Sequence, residues 1–244
     1  MIHIGIAGWG IRREHSDLFG AGESHLARYA TRFNVVEINS SFYRPHRPAT
    51  YAKWAASVPR DFRFAVKMPR SITHAKRLRD AGEELNRFAD EAGALGEKLG
   101  PVLIQLPPSL AFDAKPVRVF FAACRAVFHG LLACEPRHAS WFAEEADQML
   151  VEFRVARVAA DPALVPGAAE PGGWRGFAYW RLHGSPRMYY SAYESAALKA
   201  LAGRLANDAW CIFDNTAAGA ATDNALETVR LLGETHGCAR EIPG

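Results

Sequence analysis

Charged and amide side chains follow short apolar runs throughout this sequence, and their types suit acid–base work on an anion. Glu37, Glu135, Asp161 and Asp214 are candidate general acids or bases, because a carboxylate held among cations and apolar walls has its proton affinity set by those neighbours. Lys67 stands with them as a catalytic candidate. Together with Arg137 and Arg181 it would form a cationic wall, with Arg70 and Arg44 as outer contributors. The planar fork of arginine suits phosphate or carboxylate, while lysine supplies a point charge. An anionic substrate is the simplest inference. The competing expectation is that each cation is paired internally, for instance Arg137 with Glu37 or Lys67 with Glu135.

Candidate binding groups surround this set. Asn39, Gln105, His138 and His183 offer hydrogen bonds, and Asn215 with Thr216 precedes AAGAATDNA, where donors near a helix start would seat an anion. Trp9, Phe42, Tyr43, Trp141, Tyr189, Tyr190 and Tyr193 fall in loops expected at the same end of the fold. Their faces would stack a sugar or a base, or pack the loops themselves.

Other chemistries find less support. His74, His138 and His183 with Glu135 and Asp161 would be the ligands of a divalent metal, but no HExxH spacing occurs and the nearby Lys and Arg oppose a cation. No cofactor is therefore assigned. Lys67 would be the Schiff-base lysine of an aldolase-like reaction, although no second feature of the sequence points to a carbanion mechanism. The opening GIAGWG is not a GxGxxG fingerprint, and neither GxSxG nor a Walker loop is present.

The chain has 244 residues, of which 49% are apolar and 23% charged, which excludes collagen, coiled coil and disorder. Its net charge of +3 is too mild to point to nucleic acid. Residues 60–79 are locally more basic: Arg60, Arg63, Lys67, Arg70, Lys76, Arg77 and Arg79 face the single acid Asp61. Cys124, Cys134, Cys211 and Cys238 are far apart and read as reduced thiols. No apolar stretch is long enough to span a bilayer, and MIHIGIAGWG lacks a basic leader, so the expectation is a cytoplasmic protein without a membrane partner.

These side chains need a scaffold that gathers them. Apolar runs predict strands near 2–7, 35–38, 62–67, 102–105, 131–135, 155–160, 177–182 and 210–213, and helical spacing links several of them, as in Val117, Phe120, Phe121 and Cys124. Strand starts about 30 residues apart suit βα units. The expected fold is α/β: a TIM-like barrel of eight parallel strands filling residues 1–244 as one domain. A doubly wound open sheet is the alternative. The segment 161–175 carries Pro162, Pro166 and Pro171, so the crossover helix after the sixth strand should be reduced or missing. In a barrel the C-terminal strand ends share one mouth, which would bring the candidates together.

Several motifs are familiar. VEINSSFYRPH through His46, FAVKMPRSITH (64–74), IQLPPS (104–109), CEPRHASW (134–141), WRLHG (180–184) and FDNTAAGAATDNA (213–225) resemble the YecE-like family, domain of unknown function seventy-two. The resemblance runs from about residue 2 to about residue 232 and implies a TIM-like barrel, without supplying a reaction. The functional expectation is therefore an enzyme of hydrolase or lyase/isomerase type acting on a small phosphorylated or carboxylated anion. The alternatives are a nucleic-acid phosphodiesterase using the basic 60–79 segment, and a non-catalytic anion-binding module; oligomeric state is left open.

Overall fold

The structure, a computed structural model, describes residues 1–237. The apolar runs become strands: β1 (His3–Ile6), β2 (Val35–Ile38), β3 (Arg63–Lys67), β4 (Leu99–Gln105), β5 (Leu132–Glu135), β9 (Ala178–Leu182) and β10 (Ala209–Phe213). The run near 155–160 divides at Val158 into β6 (Val155–Arg157) and β7 (Ala159–Asp161), and a two-residue β8 (Gly172–Gly173) is added. Helices α1 (His25–Tyr29), α2 (Pro48–Ala56), α3 (Gly82–Gly93), α4 (Ala114–Val127), α5 (Glu144–Glu152), α6 (Ser195–Ala202) and α7 (Ala220–Gly237) lie between them. Between β7 and β8 there is only a 3-10 turn, Pro166–Ala169, as the prolines of that segment dictate.

The architecture is α/β with parallel sheets. One sheet has the order β1-β10-β9-β7 and the other β2-β3-β4-β5-β6-β8, every pair being parallel except β6 with β8. The ladders thus make two sheets where a single eight-stranded ring was expected. Two local features explain the division. On one side, β6 pairs with β5 and β7 pairs with β9, so one run of chain passes from the six-stranded sheet to the four-stranded one across Val158.

On the other side, β1 and β2 are joined mainly by side chains. The Ile4 amide donates to Asn34 Oδ1 at 3.0 Å, and Asn34 Nδ2 donates to the Ile2 carbonyl at 2.9 Å. The Tyr29 hydroxyl accepts from the Ile6 amide at 2.8 Å and donates to the Val35 carbonyl at 2.9 Å. Gly5 makes the close approach possible, since a Cβ there would lie 2.1 Å from the Val35 carbonyl oxygen. Only at the end of this seam does backbone pairing appear, as the bridge of Ala7 with Glu37.

Apolar packing occupies both faces of the strands. Outward residues such as Val36, Phe64, Val66, Ile104, Cys134 and Phe213 pack with the helices, whose buried residues recur at helical spacing, as Leu85, Phe88 and Ala92 do in α3. Inward residues from both sheets form a second cluster: Val35, Ala65, Leu103, Ala133, Ala156, Tyr179, Trp210 and Ile212. The alanines leave room for Tyr179 and Trp210. Cys124, Cys134 and Cys211 are buried free thiols, and Cys238 lies outside the described residues. Among the described residues no helix is long and apolar enough to cross a membrane.

Candidate functional site

Strand geometry alone builds the site. Side chains at i and i+2 share a face, so the residue two positions beyond each inner apolar residue also points inward. Those positions hold Glu37 after Val35, Lys67 after Ala65, Gln105 after Leu103, Glu135 after Ala133, Arg181 after Tyr179 and Asp214 after Ile212. A polar layer therefore sits directly on an apolar one. One further step along two strands adds Arg137 and His183.

Arg181 is the centre of this layer and is fully buried. It donates from Nε and Nη2 to the two oxygens of Glu37 at 3.1 and 2.7 Å. Its Nη1 donates to Glu135 Oε2 at 2.7 Å and Gln105 Oε1 at 3.2 Å, and Nη2 also reaches Asp214 Oδ2 at 2.9 Å. Tyr179, beneath it, donates its hydroxyl to Glu37 Oε2 at 2.9 Å. The sequence reading missed Tyr179; its place two residues before Arg181 on an inward face was the available signal. Arg181 is thus enclosed by carboxylates, a cation that holds the layer together from below.

His183 bridges the far side. Its Nδ1 lies 3.0 Å from Asp214 Oδ2 and its Nε2 lies 2.9 Å from Glu135 Oε1 and 3.1 Å from Arg137 Nη2. Arg137 also donates from Nε to Glu135 Oε1 at 2.7 Å. Burial pushes the Glu135 carboxyl upward, but Arg181, His183 and Arg137 outweigh it and hold Glu135 well below its usual range. Asp214 is lowered in the same way, burial being overcome chiefly by Arg181. Both are ionised near neutral pH with their oxygens already engaged. Of the acid–base roles expected for them, the ionised form suits the base and not the acid.

Lys67 differs from every other cation in the layer. It is 5% exposed, and its ammonium makes no hydrogen bond or ion pair with any described residue. Its nitrogen lies 4.3 Å from the centre of the Phe42 ring. Burial, and then the Arg181 charge, push its pKa down to about 8, with Glu37, Asp214 and Glu135 offsetting part of the shift. The expected pairing of Lys67 with Glu135 is not what forms; Glu135 is taken by the two arginines and His183.

The remaining candidates divide by which face they occupy. Asp161 pairs in register with Leu182, whereas its neighbour Ala160 pairs with Arg181, so Asp161 points outward, away from the layer. It accepts from the Tyr193 hydroxyl at 2.8 Å and lines a separate cleft of about 810 Å³ with Tyr193, Trp180 and Arg204. Asn215 is likewise turned outward: its amide donates to the Ser191 carbonyl and to Asn224 Oδ1, both at 2.9 Å, pinning the 184–193 loop to α7. His138 caps a short turn through Ser140.

Asn39 is half-buried with its Oδ1 unpartnered. Trp9 packs edge-on against Trp54 at 5.0 Å, Trp141 is buried and donates to the Leu110 carbonyl, and Tyr43 and Arg70 are exposed beyond the ends of β2 and β3. Tyr189, with a left-handed φ of 69°, sets its ring edge-on to His183 at 5.7 Å. Met188 from the same loop brings its sulfur 3.9 Å from Arg137 Nη1. His74, beside Phe42, has its pKa lowered by burial and then by Lys67, Arg70 and Arg137. Among the described residues no three His, Cys, Asp or Glu side chains are arranged to hold a metal ion.

The basic 60–79 run does not make one surface. Arg60 and Arg63 lie at the start of β3 and Arg70 to Arg79 beyond its end, which a five-residue strand holds roughly 15 Å apart. Lys76 is paired with Glu84 and Arg79 with Asp113.

With this geometry established, comparison with known proteins identifies relatives. The family model "Protein of unknown function DUF72" matches residues 3–244, and the chain belongs to that family. UPF0759 protein YecE of Escherichia coli is 32% identical over 107 residues, 44% of this chain and 38% of YecE. UPF0759 protein YunF of Bacillus subtilis is 30% identical over 164 residues, 63% of this chain and 56% of YunF. The matches thus span well under two thirds of each relative. Solved structures match over nearly the whole chain. A DUF72 protein from Enterococcus faecalis superposes with TM-score 0.78 at 22% identity, covering 96% of both chains. Another from Thermotoga maritima gives 0.76 at 26%, covering 95% of this chain and 99% of its own. A methyltransferase from Methanosarcina mazei gives 0.57 at 10% identity, covering 96% and 94%, a likeness of fold alone.

Proposed function

We propose that this DUF72 protein is an enzyme acting on a small phosphorylated or carboxylated anion at the C-terminal ends of its strands, by lyase or isomerase chemistry. The observation that carries the reading is Lys67: a nearly buried cation that, among the described residues, lacks the carboxylate partner that Arg137 and Arg181 have. A buried charge left unpaired is costly, and sites that tolerate such a cost are enriched in function. An anion would supply the missing partner, and an amine titrating at about 8 exchanges protons readily near neutral pH. Glu37, Glu135 and Asp214 fix Arg181, and Glu135 and Asp214 fix His183.

The reading includes a fold: the two sheets acting as one TIM-like ring, a single domain in which β6 and β7 count as one strand and β8 stands aside. Its support is the side-chain seam between β1 and β2 and the inner cluster drawn from both sheets. Amide exchange tests this, since Ile4 and Ile6 should be as protected as the strand amides of β10. A phosphodiesterase reading loses its footing with the division of the 60–79 run.

Thermal-shift measurement with inorganic phosphate and with small carboxylates tests the site. A folded-state ligand raises the melting temperature by mass action. Wild type should respond and Lys67→Met should not; equal responses, or none in either, would sink the proposal.

A further inference from the structure

We infer that Lys67 is a nucleophile, and that the substrate anion carries an aldehyde or ketone which Lys67 captures as a Schiff base. This rests on the anion-site reading above and adds its chemical class. Three features of the layer converge on it.

The first is the free lone-pair position. The nearby carboxylates are already taken by other donors: Glu37, Glu135 and Asp214 by Arg181, and Glu135 also by Arg137 Nε. The Lys67 nitrogen, among the described residues, is bonded to none. A lysine that merely neutralised the nearby carboxylates would have closed onto one of them.

The second is how the side chain is held. The Ser41 hydroxyl donates to the Lys67 carbonyl at 2.7 Å, fixing the strand end from which the side chain rises. Phe42, the next residue, covers the nitrogen with an aromatic face. Such a wall desolvates the amine, and at a pKa of about 8 roughly a tenth of it is unprotonated at neutral pH.

The third is a place for the anionic end of the substrate. Arg137 keeps one strong donor in reserve: among the described residues Nη1 faces only the Met188 thioether at 3.9 Å, a weak acceptor. Its side chain is 16% exposed, at the rim of the layer. A carboxylate on Arg137 Nη1 leaves an adjacent carbonyl to reach inward, which describes a 2-oxo acid or a similarly compact anionic carbonyl compound.

The step balances without a cofactor. The amine lone pair adds to the carbonyl carbon, the C=O pair moves to oxygen, and that oxygen takes the proton the nitrogen gives up. A second proton, drawn from solvent, lets the oxygen leave as water. The product is a protonated imine: amine, carbonyl and one proton have become iminium and water.

The experiment is reductive trapping on the full chain. Protein is mixed with glyoxylate or pyruvate, reduced with borohydride, which delivers hydride to the imine carbon, and mapped by peptide mass. The chain has only six lysines, and Lys53, Lys115 and Lys199 are exposed controls within it. The expected result is close to one adduct per chain, on Lys67, at least tenfold above any exposed lysine. Labelling spread over the exposed lysines, or absent, overturns the inference. Because the map is read on wild type, it does not depend on a variant folding. Lys67→Arg, which keeps the charge, should lose the adduct; an adduct count unchanged in that variant also overturns the assignment. Glycolate and lactate, which lack the carbonyl, separate the two proposals. A thermal shift with all four acids but no adduct removes the covalent step and leaves the anion site, whereas no shift and no adduct removes both.

Discussion

Arg181 and Lys67 rise from the inward faces of two strands into the same polar layer, yet one is saturated and the other solitary. Arg181 spreads a planar fork over Glu37, Glu135 and Asp214, with Gln105 taking a further bond. Burial lowers its pKa, but the carboxylates more than reverse this and hold it well above the usual value. Lys67 is nearly as buried, and there burial wins. The same apolar floor thus supports two regimes: a closed ion network that specifies the arrangement of the strand ends, and an open position where a cation stands without a carboxylate.

The comparison breaks most visibly at Arg181. Arg181→Met leaves three buried carboxylates without their shared partner, so chemical denaturation should show a loss of at least about 3–5 kcal/mol. Arg181→Lys should recover little of it, because a point charge cannot serve Glu37 through two parallel bonds and still reach Glu135 and Asp214. A fully stable Arg181→Met would mean that the network is ornamental.

Glu135→Gln is a milder version. It preserves shape but removes the charge facing Arg181, Arg137 and His183, so stability at neutral pH should fall by about 2–3 kcal/mol. The sign with pH is fixed by the depressed pKa of Glu135, against an unfolded value near 4.5. Its contribution is fully present above about pH 4.5 and is lost as the pH falls through the folded value. The gap between wild type and Glu135→Gln should therefore narrow on acidification. A gap that widened would show that Glu135 is not the ionised partner of Arg181.

The parts of this molecule differ in how far the sequence discloses them. Strands such as β2 and β5 are short, largely apolar runs with a carboxylate at or next to the last position, and both the run and the carboxylate are visible in sequence. What such runs conceal is which residue faces inward, because with both faces covered the alternation has no polar phase. Asp161 shows the cost: it ends a strand as Glu135 does, but the break at Val158 and the register with β9 turn it outward. Pairing is equally hidden. That Glu135 goes to Arg181 and leaves Lys67 alone depends on reach across the layer between β5 and β9, not on spacing along the chain. The seam between β1 and β2 was also beyond reading, since Tyr29 and Asn34 carry it through side chains from the connecting segment rather than through a strand pattern.

Lys67→Met gives the smallest change and the one of opposite sign. Its folded pKa of about 8 lies below the ordinary 10.5, so between those values the unfolded chain binds more protons and stability rises with pH. Below pH 8 wild type bears the full burden, on the order of 3 kcal/mol for a shift of this size. Methionine keeps the stem and discards the charge, but it also discards the attraction to the Phe42 ring, about 0.5–1 kcal/mol or somewhat more when desolvated. Lys67→Met should therefore be more stable than wild type by about 1–2 kcal/mol at neutral pH. The advantage should shrink across pH 8 to 10.5 and vanish above it, as the wild-type amine becomes neutral in both states. Melting the two proteins in parallel through this range cancels every other titrating group. A variant less stable than wild type at pH 7, by a margin that holds to about pH 10 and then shrinks on further alkalisation, would show that Lys67 belongs to the closed network after all, and the contrast with Arg181 would disappear.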